Sequence, residues 1–148
     1  MLEAPHAFAL ERVGFAYGRW GGGGLVLLSS ISPVADEDYE YDASVAARIG
    51  AAAISKALQF ALKQRAAAFH VHIHPHAGLP RFSRTDIMEL PGVIDPFRQL
   101  IPEQPHGLLL LSHDRFSAVA WFPDRTKVQF VNDFTIVGAP MVIHRSEP

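Results

Sequence analysis

Residues 67–74 read Ala67-Ala68-Phe69-His70-Val71-His72-Ile73-His74, and Pro75 follows. The strict alternation is that of a β-strand, with Val71 and Ile73 on one face and three histidines on the other. The segment before it, 43–65, has another period. Val45, Ile49, Ala53, Ala57, Phe60 and Ala61 recur at three- and four-residue spacing, which predicts one long helix. Asp42 stands where an N-cap is expected, and Lys63 and Arg65 suit the negative end of the dipole. The small residues Ala46, Ala47, Ala51, Ala52 and Ala53 would let that helix lie close to a sheet.

Upstream, residues 7–18 alternate loosely and carry aromatics, which predicts a strand, and LVLLSSIS (25–32) predicts a second. The glycines at 21–24 join them as a hairpin turn; no Lys-Ser/Thr follows, as a phosphate-binding loop would require. The acidic stretch 36–42 is expected to be a solvated loop. Its alternating acids imitate a calcium loop, but Tyr41 occupies the sixth position, where glycine is needed. Downstream, a loop (75–82) leads to a short helix from Ser83, and a second short helix is expected near 93–101 among Pro91, Pro96, Pro102 and Pro105. Strands are expected at 107–112, 116–122, 127–132 and 134–144. Strands on both sides of one long helix place the chain in the α/β class, with a mixed sheet packed by that helix and shorter ones.

Composition bounds the function. A length of 148 residues suits one domain, 1–148, which buries roughly 68–70% of the surface its unfolded chain exposes. A net charge of −2 argues against a nucleic-acid-coating surface. The N-terminus lacks the basic start and apolar core of a signal peptide, and no apolar stretch reaches the ~20 residues of a membrane span, so no membrane partner is expected. A cytoplasmic location is the default. The chain has no cysteine, which excludes disulfides, thiol nucleophiles and thiolate metal sites. Of eight histidines, His70, His72, His74 and His76 fall within seven residues, so any metal must be held by imidazole and carboxylate.

Imidazoles at i and i+2 of a strand lie ~6.6 Å apart along it, close enough to converge on one ion. His72 and His74 supply two nitrogen donors, and Asp86, twelve residues past His74, can supply a third. An open hydrolytic zinc site needs three protein ligands and a free fourth position. Both features also have ordinary structural readings. Alternating histidines suit a half-exposed strand face, and Ser83-Arg-Thr-Asp86 has the spacing of a helix cap with an acid in the first turn.

The order of these elements resembles that of the JAMM (JAB/MPN-type) zinc metallopeptidases. That family carries a Glu on an early strand with spaced glycines, then His-x-His-Pro, a variable loop and Ser-x-x-Asp. Here the counterparts are Glu11-Arg-Val-Gly14-Phe-Ala-Tyr-Gly18, His72-Ile-His74-Pro75 and Ser83-Arg-Thr-Asp86. The eight residues between His74 and Ser83 are one more than the family's usual seven, a cheap insertion. The resemblance implies a JAB/MPN-like domain holding one zinc per chain on His72, His74 and Asp86. It implies Glu11 as general base and then acid, and Ser83 as donor to the oxyanion. His70 and His76 are surplus to that set: His70 reads as a residue behind the ligands or in the core, and His76 as a rim residue.

The family hydrolyses peptide or isopeptide bonds, commonly after the C-terminus of ubiquitin or a ubiquitin-like protein. The compact form resembles bacterial members that act beside other proteins of ubiquitin-like conjugation systems, some linked to phage defence. The implied substrate is therefore a ubiquitin-like protein, released from a conjugate or a precursor. Metal-free members serve as scaffolds, typically after losing the Glu, a His or the Asp, all of which this chain keeps. The run His70-Val-His72-Ile-His74 also resembles the signature of histidine-triad nucleotide hydrolases, in which His72 would attack a phosphoryl group without zinc. That signature normally lies near the C-terminus and continues apolar, whereas Pro75-His76 follow here.

Overall fold

A computed structural model describes residues 5–137 and 142–145. It is a mixed α/β structure built on a six-stranded sheet in the order β2-β1-β3-β4-β5-β6, with a separate two-stranded sheet, β7-β8. The strands are β1 (Arg12–Gly22), β2 (Leu25–Pro33), β3 (Ala67–Ile73), β4 (His106–Leu111), β5 (Phe116–Trp121), β6 (Gln129–Phe130), β7 (Asp133–Ile136) and β8 (Val142–Arg145); the helices are α1 (Ala51–Gln64) and α2 (Arg84–Leu100). The histidine strand β3 is central. It pairs antiparallel with β1 and parallel with β4, and α2 is the crossover between the two parallel strands.

The glycine turn is where its sequence places it. β1 and β2 form an antiparallel hairpin, and Gly22, Gly23 and Gly24 take φ of 84°, 59° and 87°, values that favour glycine. β1 begins at Arg12, later than the expected 7, and runs on to Gly22.

Helix α1 starts at Ala51, not at 43, and Asp42 is not its cap. The Asp42 side chain instead accepts from the Ser44 N–H at 2.9 Å and pairs with Arg48 at 2.9 Å. The Glu40 N–H donates to the Arg48 carbonyl, and the Gly50 N–H to the Asp38 carbonyl, both at 2.9 Å. These local bonds give residues 40–50 an alternative to helix, as Asp and Ser side chains commonly do. The helical stripe that remains is Ala53, Ala57 and Ala61, buried against Phe15 and Tyr17 of β1.

Two further expectations are corrected. The two short helices are one, α2, which continues through Pro91 and Pro96 because Ile94, Phe97 and Ile101 at its far end are anchored in the core. The strand expected over 134–144 is two, β7 and β8, with 138–141 outside the described residues, and 127–132 forms only the two-residue β6.

The acidic stretch is more than a solvated loop. Asp36 pairs with Arg12 at 2.7 Å and Asp38 with Lys56 at 2.6 Å, while Tyr39, which follows them, is buried. The Tyr39 hydroxyl accepts from the Val13 N–H at 2.7 Å. The stretch therefore ties the start of β1 to α1. Among the described residues no helix is long and apolar enough to cross a membrane.

Candidate metal centre

The β1–β3 ladder positions the site. Its register pairs Arg12 with Ile73 and Val13 with His72, which sets Glu11 across from His74. Directly opposed residues share a face, and so do residues two apart on one strand, so Glu11, His72 and His74 project to the helix-covered side. There the Glu11 carboxylate stands 3.3 Å from His72 Nδ1 and 3.7 Å from His74 Nε2. One ligand atom from each of these three residues lies within 4.8 Å of the others, a group able to hold a metal ion.

Asp86 reaches the same place from α2. Ser83 is the N-cap of that helix and forms a complete capping box with Asp86. The Ser83 N–H donates to Asp86 Oδ2 at 2.6 Å, and the Asp86 N–H donates to Ser83 Oγ at 3.1 Å. Asp86 Oδ1 is thereby left 3.7 Å from His72 Nε2. His72 is 7% exposed, and its Nε2 is a buried atom with no hydrogen-bond partner among the described residues. An orphaned imidazole nitrogen beside the Asp86 carboxylate, on a ring whose other nitrogen faces Glu11, fits a divalent cation, which would supply the missing partner and neutralise the acids.

The electrostatics agree with neutral imidazole ligands. Burial pushes the His74 pKa down, reinforced by His72 and His76 and opposed by Glu11 and Asp86. Burial also pushes His70 down, to about 3, with His72 adding to it. Both rings are therefore neutral at pH 7, the form that binds metal.

All seven residues singled out in the sequence lie around this point, in different roles. Glu11, His72 and His74 form the donor group, with Asp86 beside His72. Ser83 is exposed, and its hydroxyl proton has no acceptor among the described residues. His70 lies one step back on β3, its ring against Phe15 and His72, with Nε2 buried and unpartnered. His76 is outside the donor group; its Nδ1 lies 2.9 Å from the Ala77 carbonyl oxygen, and its ring packs on His74.

The sequence did not single out what holds the loop between His74 and Ser83. The β4–β5 turn does so. The Gly78 N–H donates to Asp114 Oδ1 at 2.7 Å, Ser112 Oγ donates to the Gly78 carbonyl at 2.7 Å, and Ser117 Oγ donates to the Pro80 carbonyl at 2.5 Å. Gly78 itself has φ of 92°. The Gly78 N–H, followed by Ser112 and Arg115, holds the Asp114 carboxyl below its ordinary value, the mark of a carboxylate that stays ionised on this loop. The only sequence signal was the polar turn Ser112-His-Asp-Arg115 between two apolar strands.

A cavity of about 610 Å³ opens beside the donor group, bounded by α1, α2 and the sheet, with His70, His72 and Asp86 in its lining. No protein-family model and no curated protein matches the chain.

Proposed function

We propose that this chain is a zinc-dependent peptidase or isopeptidase of JAMM type, cleaving after the C-terminus of a ubiquitin-like protein in deconjugation or precursor processing. The observation that carries the reading is the meeting of Glu11, His72 and His74, with the Asp86 carboxylate 3.7 Å from the orphaned His72 Nε2. His72, His74 and Asp86 would hold one zinc per chain. Zinc in such a site supplies Lewis-acid polarisation of the scissile carbonyl and a water acidified to about pKa 7.

The protein's own groups do the rest. Glu11, cross-strand from His74, accepts the proton of the attacking water on a carboxylate oxygen and returns it to the leaving amine. Ser83 donates its unengaged hydroxyl proton to the oxyanion, while its Oγ continues to accept from the Asp86 N–H. Asp86 stays oriented because Oδ2 is held by the Ser83 N–H. The positive end of the α2 dipole lies at the same place and favours the developing negative charge.

Elemental analysis and cleavage of a ubiquitin-like fusion test the reading together. Purified protein should carry about one zinc per chain; Glu11→Gln should keep it and lose cleavage, and His74→Ala should lose both. Loss of zinc from Glu11→Gln would instead make Glu11 a ligand. Hydrolysis of a nucleotide phosphoramidate by metal-free protein would establish the histidine-triad reading with His72 as nucleophile. A zinc-loaded chain that cleaves nothing would point to a silent MPN-like scaffold.

A further inference from the structure

The cavity beside the donor group shares His72 and Asp86 with the site just proposed and extends well beyond them. Val13, Ile49, Ile54, Val93 and Leu108 give it apolar walls, and His70, His72 and Asp86 also line it. Three further carboxylates, Glu40, Asp42 and Glu89, line it against a single cation, Arg48. Arg48 is already engaged by Glu40 at 3.3 Å and Asp42 at 2.9 Å, so the lining has acidic charge in excess.

Gly92 of α2 lies in the same lining and is exposed. Glycine is the least favourable helix residue after proline. A Cβ built at Gly92 meets nothing within 4 Å, so packing does not require its absence. Pro96, four residues on, has no N–H to give the Gly92 carbonyl, which therefore lacks its usual intrahelical donor. The wall is thin at this point.

We propose that this cavity is a pocket for a short substrate segment of aliphatic residues ending in a basic one, and that Gly92 is the specificity position that keeps it open. The aliphatic side chains lie against Ile54, Val93 and Leu108, and the cation is met by Glu89 and Glu40. A volume of this size is typical of pockets for peptide-sized ligands. The proposal rests on the peptidase reading only in assigning the segment to a substrate, since His72 and Asp86 line the pocket.

Fluorescence anisotropy in Glu11→Gln protein, which cannot turn the probe over, tests it with two labelled peptides, Leu-Leu-Val-Lys amide and Leu-Leu-Val-Glu amide. The lysine probe should bind at least tenfold more tightly than the glutamate probe at low salt. Gly92→Leu should weaken the lysine probe at least tenfold without lowering the melting temperature. Glu89→Lys, at an exposed position, should cut the preference between probes at least tenfold, and it decides the matter alone if Gly92→Leu does not fold. Equal binding of the two probes, or wild-type binding by both variants, overturns the proposal. Because binding is read without cleavage, such a failure leaves the peptidase reading untouched. A protein that binds the lysine probe but cleaves no fusion refutes the peptidase reading alone.

Discussion

The Ser83 N–H donates to Asp86 Oδ2 at 2.6 Å while Ser83 Oγ accepts from the Asp86 N–H at 3.1 Å, so each residue fixes the other at the start of α2. Ser83→Ala removes the cap acceptor and should cost about 1 kcal/mol in urea denaturation. Ser83→Gly should cost only a few tenths of that order. If Ser83 also donates to the oxyanion, both variants should lose cleavage to the same extent, on the order of 100-fold. Cleavage that follows stability instead would reduce Ser83 to a cap.

Tyr39 substitutes for a strand at the start of β1, since its hydroxyl takes the Val13 N–H at 2.7 Å in a buried setting. Tyr39→Phe keeps the ring and leaves that donor unsatisfied, at a cost of about 1–3 kcal/mol. Chemical denaturation should show the loss, and hydrogen exchange should place the faster-exchanging amide at Val13. Wild-type protection there would remove the assignment.

Gly18 lies at a register shift between β1 and β2, where an added Cβ would stand 2.2 Å from the Leu27 carbonyl oxygen. The neighbour is backbone and cannot rotate away. Gly18→Ala should destabilise by about 1–3 kcal/mol or more. On the β1–β3 ladder Gly18 pairs with Ala67, at the opposite end from Arg12–Ile73 and the donor group, so metal content should survive in the folded fraction; loss of metal from folded protein would contradict this.

His106 is fully buried at the start of β4. Its Nδ1 accepts from the Ala68 N–H at 3.2 Å and its Nε2–H points to the Ile101 carbonyl at 2.9 Å. Burial depresses its pKa, against the Ile101 carbonyl, which favours the cation. The folded state thus prefers neutral imidazole. Its contribution is complete above the unfolded pKa of about 6.5 and falls as pH drops from there towards the depressed folded value. Stability should therefore decline between pH 7 and 5, with a shallower slope in His106→Gln. An unchanged slope would mean that another group, such as His70, sets it.

The histidine strand, its neighbouring hairpin and the α/β class were legible because period and glycine turns are local signals. The start of α1 was not. Val45 and Ile49 keep helical spacing, but the competing bonds are Asp42 to Ser44 and Glu40 to Arg48, which spacing does not register. The continuity of α2 was hidden by its prolines and depends on tertiary burial of Phe97 and Ile101. In the site, strand alternation was enough to put His72 and His74 on one face. The approach of Glu11 depends on the β1–β3 register, and the loop anchored by Asp114 depends on contacts distant in the chain.

The two edges of β1 are unlike. Toward β2 the pairing shifts between Tyr17 and Gly18 and again between Trp20 and Gly22, whereas toward β3 it runs from Arg12–Ile73 to Gly18–Ala67 without a break. A slip of one residue on the β3 side would turn Glu11 to the opposite surface and separate it from both histidines. The outer hairpin can thus absorb insertions, bends and drift while the inner pairing acts as a ruler for the donor atoms. Sequence variation should accumulate in the outer strand long before it reaches the chemistry.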